Sequence, residues 1–164
     1  MPATLSPPVA SPIASPVVDD LAPPVAVGRL VLLGHPVAHS LSPRFQNAAL
    51  AAAGIPLTYA ALDVPPTALD EVLDALVAAR AAGNVTLPHK ERVHARCDLR
   101  SAVAERVGAV NTFWCTLDGR LCGDNTDVPG VRAAVAELLP APPARIALLG
   151  AGGSAAAVLA AAEG

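Results

Sequence analysis

Lys90 is the only lysine in a chain whose other basic side chains, histidine aside, are all arginine. It closes the stretch Asn84-Val85-Thr86-Leu87-Pro88-His89-Lys90. Arginine stays protonated in any protein setting, whereas a lysine that is desolvated or crowded by charge can give up its proton. A single lysine just after a proline turn therefore suits proton transfer. The plainer alternative is an exposed survivor in a sequence that otherwise prefers arginine. Ser40 and Ser42 form a second pair with chemistry in reach. Ser42 followed by Pro43 reads as a helix start, serine as the cap and proline at the first helical position. Ser40 precedes that start. Two hydroxyls beside a helix N-terminus, with its free N–H groups and dipole, make a small anion site that would suit a carboxylate. A third candidate is Gly150-Ala151-Gly152-Gly153-Ser154-Ala155, a G-x-G-x-x-A turn of the kind that lets a backbone approach a pyrophosphate.

These residues need a frame. Arg29 to Gly34 is a short apolar run that reads as a buried strand, and the helix from Ser42 should stop at Gly54. Leu57 to Val64 reads as a strand. A helix should open at Pro65-Pro66-Thr67 and run through Leu69, Val72, Leu73, Leu76 and Val77 to Gly83. Asn84-Val85-Thr86 follows as a strand, then a helix through Leu99, Val103 and Val107 to Gly108. Ala109 to Trp114 and Arg120 to Cys122 read as strands joined by the Asp118-Gly119 turn. Val131, Val135, Leu138 and Leu139 mark a helix that ends at Pro140. Arg145 to Leu149 reads as a strand before the glycine turn and a helix after it. Strand and helix alternate, so the fold class is α/β, with a mostly parallel sheet and flanking helices. In such sheets ligands gather beyond the carboxyl ends of the strands, which is where Thr86 and Lys90 fall.

Composition narrows the class. The chain has 164 residues, 53% hydrophobic, 15% charged, 2% aromatic, with a net charge of −3. That favours a globular protein. No basic run or basic–aromatic pattern suggests nucleic acid as a partner, and no apolar run suits a membrane span. Cys97, Cys115 and Cys122 form no CxxC pair, and Pro36 between His35 and His39 argues against a helical metal pair, so no metal site is expected. Reduced, buried thiols fit a cytoplasmic protein. Residues 1–27, rich in Pro, Ala and Ser, read as a disordered tail and not as a secretory signal. Residues 28–140 would form one domain, with a boundary at Pro140-Ala141-Pro142-Pro143. Residues 145–164 would open a dinucleotide-binding domain. One strand and one helix are less than such a domain needs. The expectation is therefore a piece of a longer protein, with Leu148, Leu149, Val158 and Leu159 left uncovered and mobile.

Five motifs in order resemble those of the shikimate dehydrogenases: Gly34-x-Pro36-Val37-x-His39-Ser40-x-Ser42-Pro43, Asn84-Val85-Thr86-x-Pro88-x-Lys90, Gly108-Ala109-Val110-Asn111-Thr112, Gly123-x-Asn125-Thr126-Asp127 and Gly150-x-Gly152-Gly153. The chain departs at Gln46-Asn47, where the family often has His-Asn, and at Asp127-Val128-Pro129-Gly130, where it usually has Asp-Gly-x-Gly. The resemblance implies an oxidoreductase that reversibly reduces 3-dehydroshikimate to shikimate with NADPH, in aromatic amino-acid biosynthesis. A quinate/shikimate dehydrogenase using NAD is the alternative, and a non-catalytic shikimate-binding module is what this chain alone would be. It also implies roles. Lys90 and Asp127 would be the catalytic pair, although Asp127 on its own reads as the cap of the helix beginning at Val128. Ser40 and Ser42 would hold the substrate carboxylate; Thr86, Lys90, Asn111 and Asp127 would bind the rest of it, although Asn111 on its own reads as a strand residue bonded to backbone. Gly150, Ala151, Gly152, Gly153 and Ser154 would form the cofactor turn. A homodimer is compatible with the family.

Overall fold

A computed structural model describes residues 27–139, 141 and 145–163. Nearly all of the predicted N-terminal tail, and Pro140, Pro142 and Pro143 of the predicted boundary, lie outside the described residues. Six strands form one sheet in the order β2-β1-β3-β5-β6-β4. They are β1 (Arg29–Gly34), β2 (Tyr59–Asp63), β3 (Ala81–Val85), β4 (Leu99–Arg100), β5 (Thr112–Cys115) and β6 (Leu121–Asp124). β1 runs parallel to β2 and β3, and β4 runs parallel to β6; only β5 is antiparallel to its neighbours. The helices are α1 (Ser42–Ala52), α2 (Leu69–Ala78), α3 (Lys90–Arg96), α4 (Ala102–Val107), α5 (Asp127–Leu138) and α6 (Gly153–Ala162).

The core lies on one face of the sheet. Val31 and Leu33 of β1, Val85 of β3 and Phe113 of β5 meet Leu69, Leu73 and Leu76 of α2 and Val93 of α3. Burying each such side chain is worth about 1.5–3 kcal/mol. Leu69, Leu73 and Leu76 recur at the helical period, which fixes the face of α2 that turns inward. On the other face, Leu32 and Tyr59 pack with Val37, and Asn47 of α1 holds the edge strand: its amide donates to the Tyr59 carbonyl (2.9 Å) and accepts from the Tyr59 N–H (2.8 Å).

Several expected boundaries move. α2 stops at Ala78 and not at Gly83, because Arg80 takes a left-handed φ of 50° and turns the chain straight into β3. Gly83 lies inside β3, opposite Val31; a Cβ there would sit 1.8 Å from the Val31 carbonyl oxygen, so glycine is needed for close approach and not as a helix stop. The single helix expected through Leu99 and Val107 is two helices with β4 between them. Ser101 caps α4 by accepting from the Ala104 N–H (3.0 Å), and β4 pairs with β6. β5 starts at Thr112 and not at Ala109, and β6 extends to Asp124. Arg145 to Leu149 is not a strand: no neighbouring strand pairs with it among the described residues, and Leu149 is 99% exposed. A strand needs a partner for its N–H and C=O groups. α6, in contrast, is not left bare. Ala157 and Ala160 are buried with Val128 of α5, against Val103 and Val107 of α4, while Leu159 stays exposed. No described helix is long and apolar enough to cross a membrane.

Candidate active site

The antiparallel β5 decides where the chemistry gathers. Its first residue, Thr112, pairs with Asn84 near the end of β3 and with Asp124 at the end of β6. The start of one strand thus meets the ends of two others at one sheet edge, where β1 also ends. Backbone bonds lock the loops there: Thr86 N–H to the Leu33 carbonyl (2.8 Å), His35 N–H to Leu87 (2.9 Å), and Val110 N–H to Lys90 (3.0 Å). His89 is 1% exposed, and its Nε2–H donates to the Val64 carbonyl (2.7 Å), anchoring the loop that presents Lys90. Gly34 leaves room for Thr86, whose Cγ2 would lie 2.5 Å from a Cβ at position 34.

Lys90 begins α3 and Asp127 begins α5, and their side chains meet: Nζ donates to Oδ2 at 2.6 Å. The lysine side chain is only 13% exposed, so it is not an ordinary surface lysine. Asp127 is not the cap of α5. Thr126 precedes the helix without a side-chain cap bond, and the Asp127 carboxylate is committed to Lys90 and to Asn111, whose Nδ2 donates to Oδ1 at 2.7 Å. Asn111, 8% exposed, uses its other amide hydrogen on Thr126 Oγ1 (3.0 Å), while its Oδ1 accepts from the Thr126 N–H (2.9 Å) and the Thr112 hydroxyl (3.0 Å). A carboxylate gripped by an ammonium on one oxygen and an amide on the other has little freedom to rotate.

A cleft of about 160 Å³ opens beside this pair, lined by Thr86, Lys90, Glu91 and the Gly152–Ser154 turn. Ser154 Oγ also accepts from Lys90 Nζ at 3.3 Å. Thr86, Lys90, Asn111 and Asp127 thus converge, and Gly152, Gly153 and Ser154 face Thr86 and Lys90 across the cleft; Gly150 and Ala151 lie exposed at the start of the turn. Ser40 and Ser42 stand apart: among the described residues their side chains bond to each other and not to this cluster. Ser42 is not the cap of α1 either: it is the first helical residue, and its N–H and hydroxyl both meet Ser40 Oγ at 3.2 Å. Leu41 precedes the helix as its cap residue and supplies no side-chain bond, so the hydroxyl at this helix start is that of Ser40.

Sequence reasoning passed over several residues that build the site. Asn125, 1% exposed, donates to the Ala109 carbonyl (2.9 Å) and accepts from the Asp127 N–H (3.0 Å). Asn84 accepts from the Tyr59 hydroxyl (2.8 Å) and donates toward Thr112 Oγ1 (3.3 Å). Burial pushes the Tyr59 phenol up to about 12, so it stays a donor. The signal for Asn84 and Asn125 was present, since each opens or interrupts a motif where an apolar residue would serve a plain strand end. No group of three or more histidine, cysteine or acidic residues placed to hold a metal occurs among the described residues.

Comparison with known proteins shows what the chain is similar to. The model of the shikimate dehydrogenase substrate binding domain matches residues 32–113, half of the chain. A shikimate dehydrogenase (NADP(+)) of Rubrobacter xylanophilus is 50% identical over 129 residues, covering 77% of this chain and 45% of the relative. One from Methylobacterium radiotolerans is 45% identical over 141 residues, covering 82% and 50%. Among solved structures, the shikimate 5-dehydrogenase of Thermus thermophilus in complex with NADP(H) and shikimate is 43% identical with a TM-score of 0.75, covering 82% of this chain and 51% of that one. The Aquifex aeolicus enzyme gives 35% and 0.78, covering 84% and 52%. The chain spans about half the length of the curated relatives it matches.

Proposed function

Since the chain belongs to the shikimate dehydrogenase family, we propose that the protein reversibly reduces 3-dehydroshikimate to shikimate with NADPH, with Lys90 and Asp127 as its acid–base pair. The observation that carries this reading is the Lys90–Asp127–Asn111 cluster, whose lysine lines a cleft together with the Gly152–Ser154 turn. The residues fit the dinucleotide. Gly150 has a φ of 117°, and a Cβ at Gly150 or Gly152 would meet nothing within 4 Å, so the backbone of the turn is open to a pyrophosphate at the start of α6. Gly150, Ala151, Gly152, Gly153 and Ser154 would hold it, and the bound cofactor supplies the hydride.

The chain's own residues handle the proton and the pose. As the ketone carbon becomes tetrahedral, charge develops on its oxygen, and Lys90 Nζ stands to donate a proton there. In the reverse direction the same nitrogen takes the hydroxyl proton back. Asp127 Oδ2 aims the ammonium and balances its charge in a part-buried setting. Asn111 holds Asp127 in register, and it meets substrate by exchanging its Thr126 contact, since both amide hydrogens are otherwise engaged. Thr86 lines the same wall, and Ser40 with Ser42 offers two hydroxyls for the carboxylate. The reading also takes residues 28–140 as the substrate-binding unit and 145–164 as the opening of the cofactor-binding unit. It includes a cytoplasmic setting, in keeping with three free buried cysteines, and a homodimer.

The test is Lys90→Ala in the protein carried in its complete reading frame. Turnover should fall by about 10²–10⁴, while the shikimate dissociation constant measured by calorimetry changes by less than about fivefold. Equal losses in both would count against the catalytic role.

A further inference from the structure

We infer that Arg106 and Arg132 are positioning residues, which grip the C-terminal end of α6 and so set the spacing between the glycine turn at its other end and Lys90. The inference rests on the functional reading above for the use of that turn. Arg106 of α4 donates from Nη2 to the Ala160 carbonyl at 3.0 Å. Arg132 of α5 donates from Nη2 to the same carbonyl (3.3 Å) and from Nε to Ala161 (3.2 Å). These carbonyls belong to the last turn of α6, where no intrahelical N–H is available to them. Cationic donors at that end also suit the helix dipole.

The opposite end of α6 is seated too. A Cβ on Gly153 would lie 3.3 Å from both Lys90 Cδ and Ala109 Cβ, so the helix start rests directly on the lysine stem. Lys90 Nζ reaches Ser154 Oγ at 3.3 Å. Between the two ends α6 offers mostly alanine: Ala157 and Ala160 meet Val128, Val103 and Val107. Methyl groups give shallow ridges, and shallow ridges resist sliding poorly. A ten-residue helix is about 15 Å long. Stopped at one end by Lys90 and gripped at the other by two guanidinium groups, it cannot slip along its axis, and the turn stays at a fixed distance from the proton donor. Without the grip, α6 shifts and the turn leaves the lysine.

Two measurements test this, one free of any ligand. In the Arg106→Ala/Arg132→Ala variant of this chain, amide exchange over Gly153–Ala162 should speed up by about tenfold, from the loss of two cationic side chains at a helix C-terminus, with β1 and α2 unchanged. Unaltered protection of α6 would overturn the grip. In the complete reading frame, the same variant should weaken NADP binding by about fivefold to tenfold and lower kcat, while shikimate affinity holds within twofold. Arg106→Lys, which replaces a single contact, should keep most of the cofactor affinity; Arg132→Lys, which must replace a fork of two, should not. Unchanged cofactor affinity, or parallel loss of both affinities, would overturn the positioning role. Failure of the unsubstituted protein to bind shikimate or NADP would instead refute the functional reading, and the positioning role with it, while the exchange result would still decide the grip.

Discussion

Replacing Asn125 by alanine removes a side chain that touches no ligand in the proposed chemistry and yet should cost more than most surface changes. The amide is 1% exposed and makes two bonds, one to the Ala109 carbonyl at 2.9 Å and one from the Asp127 N–H at 3.0 Å. Ala109 itself is fully buried, so its carbonyl finds no water when the amide is gone. Each orphaned buried group costs about 1–3 kcal/mol. The Asp127 N–H lies in the open first turn of α5 and should fall at the low end, which gives a total of about 2–4 kcal/mol. With a urea slope of about 2 kcal/mol/M, the denaturation midpoint should drop by about 1–2 M. Trp114, the only tryptophan, reports the transition by fluorescence. Shikimate affinity should fall as well, because the backbone that presents Asp127 loses its tie to Ala109, in the segment that leads into β5. A midpoint shift below about 0.3 M would refute the accounting of buried partners.

Gly83→Ala should abolish folding, because the new Cβ would lie 1.8 Å from backbone that cannot swing aside; a cooperative urea transition near that of the unsubstituted chain would contradict this. Ser40→Ala with Ser42→Ala should raise the shikimate dissociation constant by about tenfold or more through lost bonds to a charged group, and an unchanged constant would remove the carboxylate assignment. Stability should decline from about pH 9 to pH 12. Burial pushes Cys97 and Tyr59 up to about 12 and Cys122 to about 11, and raises Cys115 as well. The folded state therefore favours the neutral forms, and that advantage is intact below the ordinary thiol and phenol values and lost as pH rises through the raised ones. A urea midpoint constant from pH 9 to 11 would contradict it.

Much of the fold was legible where it depends on local chemistry. The start of α1 at Ser42-Pro43 (though not its cap), the Asp118-Gly119 turn and the apolar run of β1 each declare themselves within a few residues. What stayed hidden depends on partners distant in sequence. β4 is two residues long and exists only because β6 lies beside it, so in the sequence a helical pattern runs straight through Leu99. Gly83 looked like a helix stop because nothing in the sequence tells that Val31 passes within contact of it. Arg145 to Leu149 has strand composition but, among the described residues, no strand to pair with, which composition alone cannot register. The roles of Asn125 and Tyr59 likewise depend on which carbonyl or amide the fold brings opposite them.

The β5–β6 hairpin has a practical consequence. Its register places Thr112 and Asp124 at the sheet edge where Lys90 lies and Cys115 and Leu121 three residues further on, next to the turn. Three residues of strand span about 10 Å. The turn closes on its own bonds, Thr116 N–H to the Arg120 carbonyl (2.9 Å) and Gly119 N–H to the Thr116 carbonyl (3.1 Å), and the Asp118 and Arg120 side chains are 61% and 50% exposed. A fluorophore or affinity peptide spliced in at Asp118–Gly119 would therefore report from the far margin of the sheet, out of reach of anything bound against Lys90.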